Sequence, residues 1–270
     1  MASVTWPNIS TVDADKLNAA RRQAHNAVHW LVRLANSYTE PGDVSGQAPL
    51  VWDASDNVIM TKPFLDKYSV ELRVGPLEMQ FREGGKPVPH TLDFEERTPA
   101  HVEAWVLVEL LHRGIDRSRF SKSLPYAPKD LMTGDSEEHE AEAYKDELAV
   151  LDGSFRAATA VLKELRGLSD IGIAADAAIS CWPETFQIGH EIALPPGSGA
   201  SVLRVGIAPG DGVRPDPYFF VGTGQQAEAA AFARDAVISM RDVADRRLSV
   251  EDVARKLGEL IEAQKRKLAG

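Results

Sequence analysis

The stretch TFQIGHEIALPPGSGASVLRVGIA, residues 185–208, contains two runs of alternating side chains joined by a turn rich in proline and glycine. One face of the first run is apolar apart from a single histidine, and it carries Phe186, Ile188, His190 and Ile192. Alternation of this kind is typical of β-strands, and a short turn returns the chain beside itself. The sequence therefore predicts an antiparallel hairpin here.

The rest of the chain adds more strands and several helices. A period of two indicates strands in YSVELRV, LEMQF and YFFVG, at 68–74, 77–81 and 218–222. Apolar residues at steps of three and four predict helices at 13–38, 98–114 and about 136–165, with two more at the C-terminal end. We therefore expect an α+β fold, in which antiparallel strands and hairpins pack against several helices.

A short repeat suggests two similar halves. LRVG occurs at 72–75 and again at 203–206, and a tryptophan precedes each copy, Trp52 in the first half and Trp182 in the second. An internal repeat would relate residues 50–115 to residues 176–242, although four identical residues also recur by chance. The sequence shows no linker, so we expect one domain over residues 1–270.

Composition excludes several classes of function. The formal charge of −10 makes nucleic acid and anionic membranes unfavourable partners. Cys181 is the only cysteine, so an intramolecular disulfide is impossible, and no run of apolar residues approaches the length of a membrane span. The first ten residues do not resemble a signal peptide. We expect a soluble cytoplasmic protein, and its oligomeric state stays open.

The stretch YFFVGTGQQAEAA, residues 218–230, resembles a dinucleotide-binding turn because Gly222, Gly224 and Ala227 have the G-x-G-x-x-A spacing. That fingerprint requires a second strand after the helix. Here the helical period continues through AVISM, residues 236–240, so we expect a helix cap and no nucleotide cofactor.

The histidines give no clear metal site. His25 and His29 lie with Arg22 and Arg33 on the polar stripe of the first helix, which predicts a solvated face. His139 lies in an acidic patch that we interpret as a solvated helix start, and His90 has no recognisable partner. We therefore predict neither a metal nor another cofactor.

The strongest candidate for a site is the aromatic segment 181–192 together with the loop before Tyr218. Polar groups lie among aromatic side chains there, which is typical of a small-molecule pocket. The predicted ligand-binding residues are Trp182, Glu184, His190, Asp211 and Tyr218. A nucleophilic pair of Cys181 with His190 is not expected, since nine residues of straight strand span roughly 30 Å.

Two other functions stay open, and the catalytic residues of any enzyme are unknown. The first is a structural or protein-interaction module whose aromatic segment is simply core. The second is a metal-independent acid–base enzyme that uses Glu184 or Asp211 with a histidine, which requires these groups to lie within hydrogen-bond reach.

The chain also resembles an uncharacterised bacterial family with a domain of unknown function. The resemblance covers most of the chain in order: Trp6-Pro7 at the start, HRGID after the second helix, AISCWPETFQIGHEIAL, and PYFFV. The third segment is similar to the family's aromatic strand H-F-F-W-G-S-F-D-L-A, with Trp182, Phe186 and Ile188 fitting best. Because that family has no established activity, the resemblance implies a fold and a candidate surface but no reaction.

Overall fold

A computed structural model describes residues 4–39, 50–169, 171–223 and 236–269. The helices are α1 (Ala14–Tyr38), α2 (Pro99–His112), α3 (Lys145–Gly167), α4 (Met240–Asp245) and α5 (Val250–Ala269). The strands are β1 (Leu50–Asp53), β2 (Val58–Thr61), β3 (Tyr68–Arg73), β4 (Glu78–Glu83), β5 (Lys86–Pro87), β6 (Leu92–Asp93), β7 (Ile179–Trp182), β8 (Gln187–Ala193), β9 (Val202–Ala208), β10 (Tyr218–Thr223) and β11 (Val237–Ser239).

Helices α1 and α2 begin where the sequence places capping residues. The side chain of Asp13 accepts hydrogen bonds from the first backbone N–H groups of α1. Thr98 caps α2, Pro99 is its first residue, and Gly114 follows its end with a positive φ of 64°. The predicted third helix is shorter than expected because it begins at Lys145, and it continues through Gly153, which packs against Pro7.

The strands form one antiparallel sheet in the order β11-β10-β9-β8-β7-β1-β2-β3-β4-β5, with β6 also paired to β4. Two meanders, β1–β4 and β7–β10, meet where β1 pairs with β7. The predicted fold class, antiparallel strands and hairpins packed against several helices, is confirmed.

Helices α1, α2, α3 and α5 share one apolar core with one face of the sheet, which we call the helix side. The opposite face is the far side. Within LRVG, Leu72 and Leu203 belong to the helix-side core, so the arginine that follows each of them points to the far side. Trp52 lies on the helix side, whereas Trp182 belongs to a separate cluster with Tyr218 and Phe220.

The two copies of LRVG therefore match only in part, and the two tryptophans do not match. The second copy lies within β9, whereas the first begins in β3 and its Val74 and Gly75 belong to the turn after that strand. An internal repeat stays a hypothesis, as does the single domain over 1–270, since both also involve residues outside the described ranges.

Strands β8 and β9 approach each other unusually closely at Gly189 and Gly206, which are paired across the two strands. A Cβ added at Gly206 would lie 2.0 Å from the carbonyl oxygen of Ile188, and one at Gly189 would lie 2.1 Å from that of Val205. Only glycine fits such a contact.

Two expectations about individual segments are wrong. The aromatic segment 181–192 is not one strand, because a turn at 183–186 divides it into β7 and β8. AVISM does not continue a helix: Val237–Ser239 forms β11, antiparallel to β10. A dinucleotide-binding fold has a parallel strand at this point, whereas β11 is antiparallel to β10. Gly224 and Ala227 of the G-x-G-x-x-A turn lie outside the described residues.

Candidate functional site

A cavity of about 520 Å³ lies at one end of the second meander, and we call it the strand-end cavity. Four segments surround it: the first half of α1, the loop at 127–130, the β7–β8 turn, and the loop from β9 to β10. Its size is typical of small-molecule sites. Its polar and charged lining residues are Arg21, His25, Lys129, Asp130, Glu184, Thr185, Gln187, Asp211 and Tyr218.

Three of the five predicted ligand-binding residues, Glu184, Asp211 and Tyr218, line this cavity. Trp182 does not line it, and His190 lines a different cavity on the helix side. The five residues therefore do not form one site. The register of the hairpin separates Trp182 from His190, because Trp182 pairs with Gln187 and shares its face, while His190 lies on the opposite face of β8.

Trp182 is held in a cluster on the far side. Its Nε1 donates to Glu191 at 3.3 Å, and the guanidinium of Arg204 lies 4.6 Å from the centre of its ring. Arg204 also donates to Glu191 at 3.0 Å and to Glu184 at 3.4 Å. This cluster fixes Glu184 at the edge of the cavity.

Asp211 and Tyr218 form one fixed unit in the wall of the cavity. The tyrosine hydroxyl donates to Oδ2 of Asp211 at 2.7 Å. Oδ1 of the same carboxylate accepts from the backbone N–H groups of Val213 and Arg214 at 2.7 and 2.9 Å. Burial, followed by the contact with Asp211, raises the pKa of Tyr218, so the phenol stays protonated.

Arg21 was not predicted as a site residue. Burial lowers its pKa, opposed by the charge of Asp211, but an arginine stays cationic in a protein. Its Nη2 donates to Asn18, whereas Nη1 is buried and has no acceptor among the described residues. A Cβ added at Gly210, another lining residue, would come within 2.8 Å of this nitrogen.

His25 was predicted on a solvated face, and that interpretation is wrong. Its ring stacks on Phe186 with a centroid distance of 5.4 Å, and Nε2 donates to the carbonyl of Pro183 at 2.6 Å. This donation assigns the hydrogen to Nε2 and leaves Nδ1 as an acceptor. Burial lowers the pKa of His25 to about 4, opposed by the Pro183 carbonyl and reinforced by Arg21, so the ring is neutral at pH 7.

Further histidines are buried rather than solvated. His29 contacts Tyr126 through Nδ1 at 3.1 Å, and His139 contacts the carbonyl of Arg97 at 2.8 Å. A polar stripe on a helix looks the same in sequence whether water or a polar interior faces it. Only the fold identifies the cavity wall, because it brings the polar stripe of α1 next to the β7–β8 turn.

The second cavity, of about 350 Å³, lies beside α3 and is lined by Trp52, Arg166 and His190 among others. His190 is buried, and burial lowers its pKa to about 4, opposed by a hydrogen bond with the backbone of Ala178 and reinforced by Arg166. Its Nδ1 has no partner in the described part of the chain. His190, predicted as a ligand-binding residue, therefore lines this second cavity and not the strand-end cavity.

Cys181 offers no nucleophile in this arrangement. It is fully buried and pairs across the hairpin with Ile188. Burial raises the pKa of its thiol, which keeps sulfur in the unreactive protonated form.

No protein-family model, curated protein or solved structure matches this chain. In the described ranges, none of the helices has the length and apolar character that crossing a membrane requires. The resemblance of the sequence to a bacterial family stays an expectation, and the geometry of the cavities carries the functional argument.

Proposed function

We propose that the protein binds a small polar metabolite in the strand-end cavity, with an anionic group of the ligand held by Arg21. The single observation that carries this proposal is the buried Nη1 of Arg21, which has no acceptor in the described residues and belongs to a side chain lining a cavity of about 520 Å³. An unpaired buried donor costs roughly 1–3 kcal/mol, and a ligand oxygen would remove that cost once the guanidinium turns Nη1 from its position against Gly210 into the cavity.

The other charged residues of the cavity indicate the chemical class of the ligand. Asp211 is already satisfied by backbone donors and Tyr218, and Glu184 is paired with Arg204. Their oxygens remain acceptors at the wall, so a ligand with donor groups beside its acid suits the site. We therefore propose an amino- or hydroxyl-substituted carboxylate or phosphate. Phe186 and Ala208 supply an apolar part of the lining for its carbon skeleton.

The structural or interaction module remains the second candidate, and the burial of Trp182 away from the strand-end cavity favours it. We propose no reaction. The acid–base alternative needs Glu184 or Asp211 beside an imidazole, whereas their side chains contact Arg204 and Tyr218.

The test is a thermal-shift screen with small carboxylates and phosphates, followed by calorimetry of any compound that raises the melting temperature. Arg21→Met removes the guanidinium and keeps much of the side-chain volume. We expect it to weaken binding at least about tenfold, the equivalent of roughly 1.4 kcal/mol. Tyr218→Phe tests the opposite wall.

Arg255→Gln is the matched control, because this arginine forms exposed ion pairs on α5, away from the cavity. Equal affinity of Arg21→Met and Arg255→Gln for the compound would refute the role of Arg21. A screen in which no acid stabilises the protein would count against the function itself.

We also keep the cytoplasm as the expected compartment. Cys181, the only cysteine, is a buried free thiol, and such a thiol suits a reducing environment.

A further inference from the structure

The end of α2 brings three side chains with metal-binding atoms together, far in sequence from the strand-end cavity. Glu109 and His112 are three residues apart and so lie on one face of the helix. His90 comes from the segment between β5 and β6 and faces them. The donor atoms of the three residues all lie within 4.8 Å of one another. We propose that His90, Glu109 and His112 bind a divalent transition-metal ion of the zinc class.

The distances between these donor atoms fit a bound metal. Nδ1 of His90 lies 3.4 Å from Oε1 of Glu109, and Nδ1 of His112 lies 3.5 Å from the same oxygen. With metal–ligand bonds of about 2.0–2.2 Å, the ligands of a tetrahedral zinc ion are about 3.3–3.5 Å apart. Two edges of the tetrahedron therefore already have their final length, and the donor atoms of the two imidazoles lie within 4.8 Å of each other.

Glu109 is prepared for this role by its surroundings. Its side chain is 2% exposed, and Oε2 accepts a hydrogen bond from Nη1 of Arg113 at 2.7 Å. The guanidinium of Arg113 is fixed in turn on the ring of Phe81, 4.5 Å from the ring centre. Outer partners of this kind orient a ligating carboxylate. One oxygen of Glu109 is thus held by arginine, and the other is aimed at both imidazoles.

The two histidines provide access from solvent. Their side chains are 64% and 53% exposed, and they border an open cavity of about 490 Å³ that is also lined by Glu83. Three protein ligands leave a coordination position for water or a second molecule, as in zinc sites with two histidines and one glutamate.

The backbone of His90 supports the same assignment. Its φ of +74° lies in the left-handed region, which residues other than glycine rarely adopt. Strain of this kind persists where the surrounding structure holds a side chain in place, often at a binding site. Here it directs an imidazole at Glu109.

The donor set selects among cations. Two imidazoles and one carboxylate suit Zn²⁺, Cu²⁺ or Ni²⁺, whereas Mg²⁺ and Ca²⁺ prefer oxygen ligands throughout. Sequence reasoning missed this site, although the step E-x-x-H is present as ELLH at 109–112. What the sequence lacked was the position of His90, nineteen residues before Glu109 in a separate segment.

The test is calorimetric titration of the full chain with Zn²⁺, after removal of any affinity tag and treatment with a chelator. We expect one Zn²⁺ per chain and no binding of Mg²⁺ under the same conditions. His90→Ala and His112→Ala should each weaken Zn²⁺ binding at least about 100-fold, because even the loss of an outer partner costs roughly 10–100-fold. Both histidines are exposed, so the variants should fold.

His101→Gln is the control, because His101 is an exposed histidine at the other end of the same helix, and glutamine can keep its capping hydrogen bond with the N–H of Thr98. It should bind Zn²⁺ as the wild type does. Co²⁺ provides a spectroscopic readout: the visible absorption of a low-coordinate Co²⁺ ion should appear in the wild type and disappear in His112→Ala. The proposal fails if the wild type takes up no Zn²⁺, or if both histidine variants bind it with unchanged affinity.

Discussion

The four residues LRVG occur at the end of β3, where they run into the following turn, and again within β9, and the surroundings of the two copies differ. The arginine of the first copy, Arg73, faces Glu71, which is completely buried and also binds Arg82. The arginine of the second copy, Arg204, lies on the indole of Trp182 and binds Glu191. The two copies therefore share the faces of their leucine and arginine side chains, but the neighbouring residues determine what each arginine contacts.

This difference extends to the two halves of the far side. In the first half, Asp56, Glu71, Arg73 and Arg82 form a chain of ion pairs across β3 and β4. In the second half, the buried aromatic side chains Trp182, Tyr218 and Phe220 cluster there, and the strand-end cavity lies beside Tyr218. Arg73 and Arg82 of the first half pair with acidic side chains, whereas the aromatic cluster of the second half borders the cavity that is also lined by Arg21 of α1. The two halves therefore differ in what covers the far side, ion pairs in the first half and aromatic side chains in the second.

Glu71→Gln tests the charge network and should have the largest effect. It removes the negative charge between two arginines, and Arg82 is itself largely buried. Breaking a buried ion pair in this way costs about 3–5 kcal/mol. We expect a loss of that size in the free energy of unfolding, measured by urea denaturation.

A matched control is Glu83→Gln, because Glu83 pairs with the exposed Lys67 on the same strand pair. It should leave the stability almost unchanged. If the two variants were equally stable, the charge network would not be what holds the first half together.

Gly75→Ala and Gly206→Ala compare the two copies of LRVG directly. A Cβ at Gly75 would lie 3.4 Å from Asp152, whereas one at Gly206 would lie 2.0 Å from a backbone oxygen. Because backbone cannot move aside as a side chain can, we expect Gly206→Ala to cost on the order of 2–3 kcal/mol. Gly75→Ala should cost less than about 1 kcal/mol.

Denaturation midpoints of the two variants give the measurement. Gly167→Ala at the end of α3 controls for the general effect of adding a methyl group, since nothing lies near its added Cβ. Similar losses in Gly75→Ala and Gly206→Ala would show that β8 and β9 are not as close as the structure has them.

The hairpin that decides the fold was predictable from residues 185–208, including the placement of His190 on the apolar face with Ile188. The face of Trp182 was not, because it depends on the register across the turn at 183–186 and a shift of one residue reverses it. His25 was misjudged, and Arg21 was not recognised as a site residue, for a different reason. Polar residues on a helix have the same spacing whether they face water or a cavity, and only the packed fold distinguishes the two cases.

The buried histidine of the second half predicts a pH dependence. The pKa of His190 is about 4 in the folded protein and near its ordinary value of 6.5 in the unfolded chain. Below pH 6.5 the unfolded state therefore binds more protons, so the stability falls as the pH falls toward 4. Between pH 7 and pH 5 this one residue should cost about 2 kcal/mol.

His190→Leu removes the titrating group and keeps an apolar side chain against Val205 and α3. The loss of stability between pH 7 and pH 5, measured by urea denaturation at both values, should be about 2 kcal/mol smaller in the variant than in the wild type. Because each protein is compared with itself at two pH values, any change in packing that the substitution causes cancels. An identical loss of stability in both proteins would mean that His190 is solvated. The cavity beside α3 would then be open to water, whereas Ile59 on β2, the corresponding strand of the first half, is buried.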